Sequence, residues 1–110
     1  MILQEREARA CAIIDSMAKE LCDVSLYLHD NPELGLDEHK AVKVINQFLE
    51  THNFTSQVGL TDLPELQTAL RGDYNGTAQH KIAFLGEYDA LPELGHGCGH
   101  NLIAMMSLGA

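Results

Sequence analysis

The sequence has few basic residues, and this scarcity excludes two classes of partner. Lysine and arginine number 7 against 16 aspartate and glutamate residues, so the formal net charge is −9. Nucleic acids and anionic membrane surfaces are bound by clustered Lys and Arg side chains, which displace counterions from the polyanion. Seven positive charges scattered among sixteen negative ones cannot form such a cluster. We therefore expect neither nucleic acid nor a membrane as a partner.

Long hydrophobic runs and targeting signals are also missing. The longest apolar stretches, such as residues 102–106, are far below the roughly 20 residues that a membrane helix needs. The first ten residues include Glu5, Arg6, Glu7 and Arg9 with no apolar segment after them, which argues against a secretory signal. The 3 cysteines are an odd number at uneven spacing, so they form no disulfide framework. These absences predict a cytoplasmic protein with free thiols.

The residues that are present indicate a folded chain. Hydrophobic residues make up 45% and charged residues 21% of the sequence, close to the average of globular proteins. A length of 110 residues suffices for one domain and is too short for two.

Two amphipathic helices are predicted in the first half. Apolar residues recur at steps of three and four over residues 3–29, which predicts one helix with a buried face, and we expect Cys11 and Cys22 to pack on or near it. Pro32 ends this helix, because proline disfavours the helical conformation of the residue before it. A second helix is predicted over residues 37–52, with Asp37 as its N-cap.

The second half predicts strands followed by a helix. Residues 54–58 and 66–71 favour short strands, and the Asn75-Gly76 turn predicts a hairpin between the segments on either side of it. Residues 81–86 are apolar in succession, as in a strand that is covered on both faces. The last ten residues predict a buried helix with Met105 and Met106 in the core. The order helix, helix, strands, helix is typical of an α/β fold.

The chemistry is concentrated in residues 86–101. Glu87 and Asp89 follow the predicted strand, where the loops of an α/β sheet bind their ligands. The pattern His96-x-Cys98-x-His100 then brings three donors for a transition metal into five residues. Neutral imidazole and thiolate both suit Zn²⁺, whereas Mg²⁺ and Ca²⁺ prefer oxygen ligands.

Two other interpretations of these residues stay open. The glycine-rich turn could carry His and Cys by chance. Alternatively, Cys98 could act as a nucleophile, because a thiol at the start of a helix has a lowered pKa and a histidine nearby can activate it.

The same residues carry a resemblance to a known family. The segment from Glu87 to Pro92, followed by His96-Gly97-Cys98-Gly99-His100-Asn101, resembles the signature of the amidohydrolase branch of the M20 metallopeptidases. Upstream, residues 28–35 and 38–41 are also similar to that branch, in the family's order. The resemblance extends over nearly the whole chain.

The resemblance implies a metal-dependent hydrolase of amide bonds next to a free carboxylate, with a dipeptide or an N-acyl amino acid as substrate. The metal would be Zn²⁺, with Mn²⁺ or Co²⁺ as alternatives. Cys98 and His100 match the family's metal-ligand positions, and Asp89 matches a catalytic carboxylate that steadies a group facing the metal. Glu87 stands where related branches have a histidine ligand. His96 matches a position that is not usually counted as a ligand.

The resemblance also predicts what the chain lacks. In the family the glutamate base, further histidine ligands and a smaller dimerisation domain come later in the sequence. Residues 1–110 are therefore expected to be the N-terminal part of a single M20-type zinc-peptidase catalytic domain, inactive alone, whose complete form could be a homodimer. The alternative is a non-catalytic fragment that acts by pairing with another chain or by sequestering metal. Residues 61–65 make the segment before the predicted strand look longer than it usually is in the family.

Overall fold

The computed structural model describes residues 2–60 and 62–110. In chain order the elements are α1 (Leu3–Ser16), α2 (Ala18–Asp30), α3 (His39–Thr51), β1 (Thr55–Val58), β2 (Leu70–Asp73), a 3₁₀ helix (His96–Cys98) and α4 (His100–Gly109). Mixed helices with a small sheet are compatible with the predicted α/β class. None of the described helices is both long enough and apolar enough to cross a membrane. Thr61, the first residue of the segment 61–65 that looks longer than in the family, lies outside the described residues.

The core lies where α2, α3 and α4 pack together. Leu28 is its most buried large side chain, at 1% exposure. Residues 21, 25 and 28 of the predicted helical face are buried, which confirms that part of the prediction. The buried cluster consists of Leu21, Val24, Leu28, Ala41, Ile45, Phe48, Ala104 and Met105.

The single helix predicted over residues 3–29 is divided into α1 and α2 at Met17. Just before the break, the Ser16 hydroxyl donates a hydrogen bond to the Ile13 carbonyl at 2.6 Å. Such a local bond from a serine side chain competes with the helical backbone ladder and favours a bend. Periodicity alone does not reveal this competition.

The prediction that Cys11 and Cys22 pack in the core is wrong, because both are exposed. Cys11 lies on α1, none of whose described residues is buried. Cys22 lies one position beyond Leu21, and a step of one residue turns about 100° around a helix, away from the buried face.

The start of α3 is capped from outside the helix. Asp37 is the N-cap expected from the sequence, but the helix begins one residue later, with Glu38 at the N-cap position and no capping bond from its side chain. Instead, the Glu33 carboxylate accepts hydrogen bonds from the backbone N–H groups of Lys40 and Ala41 at 2.8 to 3.0 Å. These donors have no partner within the helix, and the negative charge suits the positive end of the helix dipole.

Removing this cap is expected to destabilise the fold. Glu33→Ala should lower the free energy of unfolding by about 1 kcal/mol, because two N–H groups lose their acceptor. Urea unfolding followed by circular dichroism measures the change. Glu7→Ala, on the exposed helix α1, is the control. Equal effects of the two substitutions would contradict the capping role.

The sheet has two strands, and its pairing differs from the prediction. β1 and β2 are antiparallel, with Thr55 opposite Asp73 and Val58 opposite Leu70. β1 confirms the strand expected over residues 54–58, while β2 overlaps only the end of the second. The hairpin predicted through Asn75-Gly76 is wrong, because β2 pairs with β1, the strand that precedes it in the chain. A bond from the Gly59 N–H to the Ala69 carbonyl, at 2.7 Å, closes the connection between them.

Two predictions of buried apolar residues are also wrong. Residues 81–86 form no strand, and Ile82 and Leu85 are 83% and 87% exposed. A strand buried on both faces needs neighbours that supply hydrogen bonds and cover, and in the described part of the chain no strand pairs with this segment. On α4, Met105 is buried as expected but Met106 is 74% exposed, because a step of one residue turns about 100° around a helix.

Candidate metal centre

The segment that carries Asp89 runs beside the residues before α3. The Ala90 N–H donates to the Glu33 carbonyl at 2.7 Å, and Leu34 and Ala90 form a parallel β-bridge. The chain then reverses, since the backbones of Leu91 and Gly95 exchange hydrogen bonds of 2.9 and 3.0 Å. This reversal returns the chain to the region of Asp89 as the 3₁₀ helix begins.

The position of His100 follows from the start of α4. Gly99 is the N-cap, with φ of +83°, a left-handed conformation that favours glycine. His100 is therefore the first residue of the helix. The next residue, Asn101, is buried and its side-chain amide donates to the Ser25 hydroxyl at 3.2 Å. This bond ties the first turn of α4 to α2.

Asp89 and His100 are brought together. The Nδ1 atom of His100 lies 2.7 Å from the Asp89 carboxylate and 3.1 Å from the Asp89 carbonyl. Both partners are acceptors, so Nδ1 carries the proton and donates it. In the neutral ring, the lone pair of Nε2 is then available to a ligand. Metal-binding histidines typically have their other nitrogen bound in this way.

Cys98 comes two residues before His100, at the end of the 3₁₀ helix, with its thiol exposed. A thiolate and an imidazole nitrogen are both donors that zinc accepts. Over residues 2–60 and 62–110, however, no three His, Cys, Asp or Glu side chains are grouped so that they could hold a metal ion. The described residues thus offer part of a donor set.

His96 does not join these donors. It is 8% exposed, and its Nδ1 atom is buried without a hydrogen-bond partner in the described residues. Burial, and next the nearby His29 and His100, lower the pKa of His96, which favours the neutral ring. The spacing in the sequence suggested three donors, but this side chain is directed into the protein.

Glu87 is exposed and lines a cavity of about 310 Å³ together with Glu38, Thr68 and Asp89. Glu87 thus lines the same cavity as Asp89. The role of Glu87 at the site stays a prediction.

The sequence did not predict a polar network formed by Glu38, Thr68 and Tyr88, the residue before Asp89. Glu38, 9% exposed, accepts a hydrogen bond of 2.5 Å from the Thr68 hydroxyl. The Tyr88 hydroxyl donates to the Thr68 carbonyl. Burial, followed by the charge of Glu38, raises the pKa of Tyr88 to about 12. Glu38 and Thr68 lie 30 residues apart, so no local pattern could have linked them.

Comparison with known proteins gives relatives along nearly all of the chain. An Xaa-Arg dipeptidase of Mus musculus is 36% identical over 98% of the chain, and one of Homo sapiens is 32% identical over 98%. A p-aminobenzoyl-glutamate hydrolase subunit of Escherichia coli is 28% identical over 88%. No family model matches the chain.

The matched relatives are much longer than this chain. It spans 26% and 27% of the two mammalian dipeptidases and 23% of the bacterial protein, or about a quarter of each. The relatives agree with the family that the motifs around Asp89, Cys98 and His100 indicate. The chain therefore belongs to the M20-like amidohydrolases.

Proposed function

We propose that this chain forms the N-terminal part of the catalytic domain of a metal-dependent dipeptidase. The observation that carries the proposal is the bond between Asp89 and His100, which leaves Nε2 of His100 available to a ligand. Cys98, two residues earlier in the chain, is exposed. The names of the relatives, dipeptidase and hydrolase, support the same reaction class.

The chemistry of the donors fits a divalent cation. Cys98 and His100 would hold it, and sulfur with nitrogen favours Zn²⁺, with Mn²⁺ or Co²⁺ as alternatives. When bound, such an ion would polarise the scissile carbonyl and lower the pKa of its bound water toward about 7. Further ligands would come from outside the described residues, since a complete catalytic zinc site has three protein ligands.

The role of Asp89 is to hold the imidazole of His100. Its carboxylate accepts the Nδ1 proton and fixes both the tautomer and the orientation of the ring. Hydrogen bonding of this kind also strengthens Nε2 as a ligand of a metal ion.

The substrate class that we propose is a small dipeptide, with an N-acyl amino acid as the second choice. Two mammalian relatives are named for dipeptides that end in arginine. A chain with a net charge of −9 and the accessible carboxylate of Glu87 near the site would attract a cationic substrate. Dipeptides with a basic C-terminal residue are therefore the first to test.

The test uses the complete protein that contains this chain. Elemental analysis should find a stoichiometric divalent metal, and a panel of dipeptides and acylated amino acids should identify a hydrolysed substrate. A metal-free protein that hydrolyses none of the panel would contradict the proposal.

A second candidate is a non-catalytic fragment that pairs with another chain. It is favoured by the exposed apolar side chains of Ile82, Phe84 and Leu85, which leave an apolar surface. This candidate is favoured if the complete protein hydrolyses no member of the panel but the chain binds a partner chain.

A further inference from the structure

We propose that Tyr88 is a positioning residue, whose hydroxyl, anchored on the Thr68 carbonyl, holds the backbone that presents Asp89 to His100. The inference rests on the proposed function, because it assigns the Asp89 and His100 pair to the reaction. The Tyr88 hydroxyl is bonded to the Thr68 carbonyl, so the proposed role acts through Asp89.

The first support is the hydrogen bond made by Tyr88, the residue before Asp89. Tyr88 is partly buried against the core formed by α2, α3 and α4, and its hydroxyl donates to the Thr68 carbonyl. The Thr68 hydroxyl in turn donates to Glu38, the N-cap residue of α3. With its pKa raised to about 12, the phenol stays protonated and remains a donor at neutral pH.

The second support is the backbone hydrogen bond made by Ala90, the residue after Asp89. The Ala90 N–H donates to the Glu33 carbonyl, and the Glu33 carboxylate binds the first N–H groups of α3. Asp89 is thus tied on both sides to the start of α3. The first bond depends on a side chain and can be removed by substitution, whereas the second is a backbone bond.

The third support is the separate attachment of His100. Asn101 ties the start of α4 to Ser25 of α2, so His100 is positioned by a different helix from Asp89. The 2.7 Å separation between Nδ1 of His100 and the Asp89 carboxylate therefore depends on two attachments. Loosening the attachment at Tyr88 lets Asp89 move relative to the ring, and it leaves the Thr68 carbonyl without its donor.

The experiment compares Tyr88→Phe with Tyr74→Phe in the complete protein. Both changes remove one hydroxyl, and Tyr74 is 67% exposed, with its ring 5.4 Å from that of Phe54. We expect Tyr88→Phe to lower kcat about 10-fold and to leave KM unchanged. We also expect it to weaken Zn²⁺ binding about 10-fold, the lower end of the effect of substituting residues that support metal ligands. Tyr74→Phe should leave all three quantities unchanged.

A second measurement needs neither metal nor activity. Nitrogen-15 NMR of the metal-free protein at pH 8 reports which ring nitrogen of His100 carries the proton. We expect the Nδ1–H tautomer in the unsubstituted protein and in Tyr74→Phe. In Tyr88→Phe we expect a mixture of the two tautomers, because the Asp89 acceptor is no longer held in place.

The outcomes separate the two proposals. If Tyr88→Phe lowers only the unfolding midpoint, while kcat, Zn²⁺ affinity and the tautomer stay unchanged, Tyr88 is purely structural and the inference is wrong. If the unsubstituted protein binds no metal and hydrolyses nothing, the proposed function fails. The tautomer comparison still decides whether Tyr88 positions Asp89. Phenylalanine keeps the ring that packs on the core, so we expect the variant to fold.

Discussion

Cys98→Ser is expected to remove the metal from the complete protein and to lower kcat/KM more than about 100-fold. The hydroxyl of serine is a much poorer zinc ligand than a thiolate. Loss of a residue that hydrogen-bonds a metal ligand already lowers metal affinity or activity about 10- to 100-fold. Loss of the ligand itself lowers them further. Elemental analysis and the rate of dipeptide hydrolysis measure the two effects.

Cys22→Ser is the matched control, since Cys22 is also exposed but lies on α2, outside the Asp89 and His100 pair. It should keep both metal and activity. Retention of stoichiometric metal in Cys98→Ser would count against Cys98 as a ligand.

A chelator distinguishes the metal mechanism from a cysteine nucleophile. Removal of the metal should abolish hydrolysis if Cys98 is a ligand, and added Zn²⁺ should restore it. Activity that survives chelation but not Cys98→Ser would indicate a nucleophilic thiol instead.

Leu28→Ala is expected to lower the free energy of unfolding by about 2–5 kcal/mol. Leu28 is 1% exposed and belongs to the cluster formed by α2, α3 and α4. The shorter side chain loses the free energy of burial and leaves a cavity in a region that several elements share. Urea unfolding followed by circular dichroism measures the change.

Leu26→Ala is the control for this substitution, because Leu26 lies on the same helix and is 59% exposed. Its effect should stay within about 0.5 kcal/mol. Similar effects at the two positions would show that Leu28 does not carry the packing of these helices.

Local patterns predicted several parts of the fold. Pro32 marks the end of α2 at Asp30, because the restriction that proline places on its neighbour acts within the chain. Most of the apolar stripe of α3 is buried as expected, with Val44 only partly buried, since a helical period of 3.6 residues determines which side chains share a face. For the site, the bond between Asp89 and His100 agrees with the family's pattern. The metal and the ligand role of Cys98 stay predictions.

Two of the wrong predictions share a cause, which is dependence on residues outside the local pattern. The apolar run at residues 81–86 predicted a buried strand, but a strand exists only where other strands supply hydrogen bonds. Asp37 is a good N-cap by composition, yet Glu33 reaches the start of α3 and takes that role.

The buried face of α3, the helix end at Pro32 and the family follow from the amino-acid order alone, because each is carried by neighbouring residues or by motifs. The capping of α3 by Glu33, and the network of Tyr88, Thr68 and Glu38 behind Asp89, become visible only in the folded chain. These contacts join residues from 7 to 30 positions apart. Whether such residues meet depends on how the helices pack, and packing is a property of the whole fold.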